Sequence, residues 1–143
     1  MTSRDHSDSA PVFVRAMVAA PCSEVWSALL QPEDWWPSFS LQSWVSGAVI
    51  ERWTGSDGTP RITRGQVLAL VPERLLRLSW ADDDWDVSTV VEIGVEVVDP
   101  DRTEVRVTHL GWEQFGDQAP TLRAAHEAGW RFHLDQLRQH CAR

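Results

Sequence analysis

Apolar residues alternate with polar ones along most of this chain, and only near its C-terminal end does the period lengthen to that of a helix. From Ala119 onward Trp130, Leu134, Leu137 and Cys141 recur at i, i+4, i+7 and i+11, with His126 extending the row back by a turn. Pro120 suits a first helical turn and Asp117-Gln118 form a polar lead-in, so the spacing predicts one long amphipathic helix over Ala119–Arg143. Before it, Val12–Val18 reads as a strand and Pro21–Leu30 as a short helix carrying Val25, Trp26, Leu29 and Leu30 on one side. Pro32 and Pro37 restrict the next segment to a brief turn, and Phe39, Leu41 and Trp44 follow without helical period. That segment is expected to be a loop or short helices over one mouth of the fold.

Five strands are predicted next, over Ala48–Thr54, Arg61–Val71, Arg74–Ala81, Val87–Val98 and Thr103–Leu110, separated by Gly55-Ser-Asp-Gly58, Pro72-Glu73, Asp82-Asp83-Asp84 and Asp99-Pro100-Asp101. Leu76, Leu78 and Trp80 share one face of the third. Val91, Ile93, Val95 and Val97 share the inward face of the fourth, and Val105, Val107 and His109 that of the last. The element order implies an α+β domain in which a curved antiparallel sheet grips the terminal helix.

At 143 residues the chain is the size of one domain, expected over residues 12–143 behind a polar, mobile tail, MTSRDHSDSAP, at 1–11. A formal charge of −8 and a pI near 5.0 disfavour a nucleic-acid backbone as partner. The basic side chains are all arginine and are scattered. Cys22 and Cys141 follow no secretory signal, which points to free thiols and a cytoplasmic location. No apolar run approaches the ~20 residues a membrane span needs.

Four segments carry a family resemblance. Val18-Ala-Ala-Pro-Cys-Ser-Glu-Val-Trp26 resembles the opening strand and helix of the SRPBCC superfamily, also called START-like or polyketide cyclase-like domains. Pro72-Glu-Arg-Leu-Leu-Arg-Leu-Ser-Trp80, Thr108-His-Leu-Gly-Trp112 and His126-Glu-Ala-Gly-Trp130 are similar to the branch related to the activator of heat-shock chaperone ATPase. The resemblance implies a helix-grip fold: six or seven antiparallel strands, two small helices after the first, and a long C-terminal helix across a cavity. Activities found in the superfamily are binding of lipids, sterols or polyketides and, in some members, cyclisation or dehydration.

The candidate lining of such a cavity is aromatic. Nine tryptophans are many for this length, and large aromatics often line concave sites. Trp35, Trp36, Phe39, Trp44, Trp53, Trp80, Trp85 and Trp112 are the candidates, with inward Leu78, Val91, Ile93, Val107 and His109, and with His126, Gly129 and Trp130 on the helix. The competing expectation is that these side chains fill the interior. Gly129 would let a ligand approach the helix, whereas Trp130 argues for a filled grip. Glu51 alternates with Val49 and Trp53; facing inward it would be a carboxylate in an apolar cavity, but the outward register, with Glu51 an ordinary surface charge, is the one favoured.

His126 and His133 lie seven residues apart, about 10 Å along a helix, too far to share one ion with His109. His126 is read as a hydrogen-bonded core or pocket residue and His133 as partly solvated. Cys22 lies at a helix start, a position able to lower a thiol pKa, but nothing nearby in sequence marks it as a nucleophile. No catalytic triad, phosphate loop or metal-ligand cluster occurs, so no catalytic residue and no cofactor are assigned. The expected function is binding of a small hydrophobic or aromatic, lipid- or polyketide-like molecule between sheet and helix. The alternatives are a cyclase or dehydratase using His126 and Glu51 as acid or base, and an interaction module acting on a chaperone. Edge strands of such a sheet are also able to pair in a homodimer.

Overall fold

The computed structural model describes residues 9–142, so most of the expected N-terminal tail lies outside the described residues. Seven antiparallel strands form one curved open sheet: β1 (Val12–Val18), β2 (Phe39–Leu41), β3 (Ala48–Thr54), β4 (Pro60–Val71), β5 (Leu75–Asp82), β6 (Thr89–Asp99) and β7 (Arg102–Leu110), in the order β1-β7-β6-β5-β4-β3-β2. Helix α1 (Cys22–Leu30) and a 3-10 turn at Pro32–Asp34 follow β1, and a 3-10 segment at Trp112–Gln118 leads into the long helix α2 (Ala119–Cys141). This is the helix-grip architecture expected from the order of elements.

The period-two pattern explains which face is covered. On β7 Thr103, Val105, Val107 and His109 are buried while Glu104, Arg106 and Thr108 are partly exposed. On α2 the buried row is Ala119, Trp130, Leu134 and Leu137. These side chains meet Val12, Val14 and Val18 of β1, Val25, Trp26 and Leu29 of α1, and Leu76, Leu78, Val91 and Ile93 of the central strands in one core. The C-terminal half of α2 is thus held by apolar contacts in the same core as β1, α1 and the central strands. Among the described residues no helix is long and apolar enough to cross a membrane.

Three expectations are corrected here. Phe39–Leu41 is a strand, not a loop: it pairs with β3 through Phe39↔Glu51 and Leu41↔Val49. Three residues are too few to show a period, and only the partner defines them. Trp44 lies beyond that strand and is 58% exposed, so it lines no cavity. Val97 is 59% exposed rather than covered: it keeps its register opposite Thr103 but sits at the end of the regular ladder, just before the shift between Val97 and Asp99.

The sheet bends where β4 meets β5, and two features mark the place. A Cβ placed at Gly65 would lie 1.8 Å from the Ser79 carbonyl oxygen, so only glycine permits this approach. The β4–β5 register also shifts between Val67 and Ala69. The bend carries β3, β4 and the end of β5 beneath the N-terminal half of α2.

Candidate functional site

A cavity of about 390 Å³ lies between this curved end of the sheet and the N-terminal half of α2. Alternate positions on neighbouring strands make its floor: Glu51 and Trp53 from β3, Thr63 from β4, Trp80 and Asp82 from β5. Helical spacing makes its roof, where Leu122, Ala125, His126, Gly129, Trp130 and His133 lie on one side of α2. Trp36 closes one end, sandwiched between Phe39, at 4.2 Å between ring centroids, and His133, at 3.7 Å. A Cβ built at Gly129 would meet nothing within 4 Å. The room left by its missing side chain is therefore part of the cavity.

The polar floor is a cross-strand row. Register places Glu51 opposite Thr63 and Thr63 opposite Asp82, so the two carboxylates flank one hydroxyl. Trp36 Nε1–H donates to Glu51 Oε2 at 3.1 Å. Trp53 Nε1–H donates to Thr63 Oγ1 at 3.0 Å, and Thr63 Oγ1–H donates to Asp82 Oδ1 at 2.6 Å. Burial pushes the Glu51 carboxyl up from 4.5 to about 7, against the Trp36 hydrogen bond and with help from the Asp82 charge. Asp82 is also raised, again chiefly by burial, with the Thr63 hydrogen bond and nearby His126 opposing.

The imidazoles above are held neutral. His126 Nδ1–H donates to the Leu122 carbonyl at 2.8 Å, which leaves the Nε2 lone pair uncommitted. Burial lowers the His126 pKa, partly offset by that hydrogen bond and by Asp82. Burial also lowers His133, to about 4.

Behind this wall His109 is completely buried. Trp130 Nε1–H donates to its Nδ1 at 3.0 Å, and since an indole nitrogen only donates, the proton of His109 must sit on Nε2. That N–H points at Thr89 Oγ1, 2.7 Å away, whose own hydrogen goes to the Trp80 carbonyl at 2.8 Å. Burial, with a smaller contribution from His126, pushes the His109 pKa down to about 2, so this chain from helix to sheet stays neutral.

Residues 19–142 match the model of the family described as Activator of Hsp90 ATPase homolog 1-like protein. The chain belongs to this family. Solved structures with the same fold include protein MLL2253 from Mesorhizobium loti, 23% identical, with a TM-score of 0.70 over 90% of this chain and 94% of that one. CalU16 from Micromonospora echinospora is 21% identical, with a TM-score of 0.69 over 91% of this chain and 73% of its own. Aha1 from Colwellia psychrerythraea, solved as a dimer in solution, is 20% identical, with a TM-score of 0.71 over 92% and 96% of the two chains. No curated protein gives a significant match. The resemblance to the SRPBCC superfamily and its chaperone-activator branch is thereby borne out.

Within this Activator of Hsp90 ATPase homolog 1-like fold the expected lining divides. Trp36, Glu51, Trp53, Trp80, His126, Gly129 and Trp130 come together around the cavity. Leu78, Val91, Ile93 and Val107 do not; they lie in the core. Trp35 is buried with its Nε1–H on the Ala28 carbonyl, Phe39 backs Trp36, and Trp112 is fully buried with its Nε1–H on the His109 carbonyl. Trp85 packs against Trp112, Phe115 and His126, outside the lining. His109 supports the wall without reaching the cavity.

The favoured outward register of Glu51 is overturned, since Glu51 faces the cavity and accepts from Trp36. The helix start does not lower the Cys22 pKa: burial, with the Glu73 charge, raises it, and the thiol donates to the Glu73 carbonyl at 3.6 Å. Both cysteines are free. Thr63, Asp82, Leu122, Ala125 and His133 were not among the expected lining residues. For Asp82 the signal was present, because the alternation Leu76, Leu78, Trp80 continues to it and places it on the inner face.

Proposed function

We propose that this chain binds a small, largely apolar molecule, with an aromatic, lipid-like or polyketide-like body, in the cavity between the sheet and α2. The observation that carries this reading is the volume of about 390 Å³ bounded by Trp36, Trp53, Trp80 and Trp130 and left open at Gly129. Tryptophans on its wall make intrinsic fluorescence a direct reporter. Titration with a panel of aromatic polyketides and single-chain lipids, with native mass spectrometry for stoichiometry, is expected to give saturable one-to-one binding. Gly129→Leu, which projects a side chain into the cavity, is expected to abolish it. Absence of saturable binding across the panel, or equal binding by the Gly129→Leu protein, refutes the reading.

A second reading is favoured by one further observation: Glu51, titrating at about 7, and the uncommitted Nε2 of His126 face the same cavity. With a ligand bearing a hydroxyl β to a carbonyl, His126 would take the α-proton and protonated Glu51 would protonate the departing hydroxyl. The products are the conjugated carbonyl compound and water. Turnover of β-hydroxy aryl ketones, followed by absorbance of the enone, tests it. Glu51→Gln is expected to bind the same ketone while losing at least about a hundredfold in rate; an unchanged rate removes Glu51 from the chemistry.

A further inference from the structure

The hydrogen-bonding capacity of the cavity is unbalanced. Three of its four indole N–H groups are already taken by protein acceptors: Trp36 by Glu51, Trp53 by Thr63 and Trp130 by His109. The hydroxyl hydrogen of Thr63 is taken by Asp82. The acceptors remain: a second oxygen on each of Glu51 and Asp82, and Nε2 of His126. Two lining groups stand apart among the described residues: the Trp80 N–H, a buried donor without a protein acceptor, and His133, whose buried Nδ1 also lacks a partner and whose neutral ring brings one donor and one acceptor.

Charge points the same way. Among the described residues the ionisable groups facing the space are Glu51 on β3, Asp82 on β5, and His126 and His133 on α2, with no arginine in the lining, and the chain contains no lysine. Arg61 stands nearby, 5.2 Å from the Trp53 ring, but is held by Asp83 and Asp84. Two carboxyl groups, Glu51 only partly ionised at neutral pH and Asp82 acted on by Arg61 from outside the lining, thus face the space, and a ligand cation seated between them would favour their charged forms. The net charge of −8 attracts cations to the molecule as a whole.

We propose that the cavity selects an amphiphilic organic cation, a protonated amine on an apolar or aromatic body, with its ammonium donors on the Glu51–Thr63–Asp82 row and its body beneath Gly129. An ammonium brings three donors and no acceptor, which complements the unspent acceptors on this floor. A carboxylate ligand meets two like charges, and a neutral alcohol supplies one donor and no charge. The inference rests on the small-molecule reading above and narrows it to one class of head group.

The test is a matched series with one body and three heads: phenylbutylamine, phenylbutanol and phenylbutyrate, titrated calorimetrically into the full chain at low salt and neutral pH. The amine is expected to bind at least about tenfold more tightly than the alcohol, and the acid more weakly than either. In Glu51→Gln and Asp82→Asn, each of which removes a buried charge and retains the side-chain shape, the preference of amine over alcohol is expected to fall about tenfold. Gly129→Leu is expected to lose all three. Equal binding of amine and alcohol, lost in Gly129→Leu, overturns the cation selectivity and leaves the cavity reading standing. A preference that survives in the Glu51→Gln, Asp82→Asn double variant overturns the assigned seat. Failure of all three compounds to bind overturns this inference, while the polyketide and lipid panel decides the broader reading separately.

Discussion

Replacing Glu51 with glutamine should stabilise this protein above neutral pH and leave it nearly unchanged in acid. In the folded chain the carboxyl titrates at about 7 instead of its ordinary 4.5, because burial disfavours the anion. Below 4.5 both the folded and the unfolded chain hold the proton, and Glu51 costs nothing. As pH rises from 4.5 through about 7 the unfolded chain releases its proton first, so the folded state binds more protons and stability falls across that window. At about 1.4 kcal/mol per pH unit, the loss reaches up to about 3 kcal/mol once both states are ionised. Glutamine keeps an oxygen to accept from Trp36 Nε1–H and cannot ionise, so the variant escapes the loss. For a domain of this size that amounts to roughly 10 °C in Tm. Thermal unfolding of the two proteins, followed by circular dichroism at half-unit steps from about pH 4 to about pH 8, reads the difference directly. His109, His126 and His133 contribute an acid-side dependence of their own, but it is common to both proteins and cancels. A gap that is flat with pH, or a Glu51→Gln protein less stable than the parent at about pH 8, refutes the burial of an ionisable Glu51.

Other positions test the framework. Trp130→Phe removes the donor to His109 Nδ1 and leaves a buried acceptor unpaired; a loss of about 1–3 kcal/mol is expected in urea unfolding. Trp112→Ala, at a fully buried ring, should cost about 3–5 kcal/mol, while Trp44→Ser, at a ring 58% exposed, should stay within about 0.5 kcal/mol. Gly129→Ala adds a methyl group that meets nothing and improves helix propensity, so it should raise stability by up to about 1 kcal/mol in the same assay. Arg123→Ala severs bonds to the Ala10 and Pro11 carbonyls and should speed proteolytic cleavage ahead of β1, read by mass spectrometry of the nicked chain.

The architecture was legible because its elements announce themselves by period. Leu76, Leu78 and Trp80, or Val105, Val107 and His109, leave little doubt about face, and the row from His126 to Leu137 leaves little about α2. Legibility fades where neighbours decide. Phe39–Leu41 is a strand by virtue of β3, and Val97 is exposed at the end of the regular β6–β7 ladder, where its alternation no longer tells what covers it. The cavity depends still more on relations between elements. Whether Glu51 faces in or out is one register choice that its local pattern leaves balanced, and the helix above it settles the matter. Core and lining share the same apolar alphabet, so the sequence pattern alone does not separate Leu78 and Val91 from Trp80. What separates them is distance along the sheet from the clamped half of α2. Thr63 carries no signal of its own, since its place between Glu51 and Asp82 exists only once three strands are in register.

The way α2 is held bears on how long a guest can be. The helix starts against the 3-10 segment at Trp112–Gln118 and is fastened again at Trp130, which is tied to His109 and followed by the buried Leu134 and Leu137. Between those supports it acts as a beam bridging the cavity, with Leu122, Ala125, His126 and Gly129 on its underside. The eleven helical steps from Ala119 to Trp130 make a span of about 16 Å. A rigid guest longer than this aperture must project past one support into solvent, whatever its head group. Homologous chains that lengthen or shorten the span by a helical turn should accept guests about 5 Å longer or shorter, so the helical distance from Ala119 to Trp130 is the ruler by which this fold would measure its cargo.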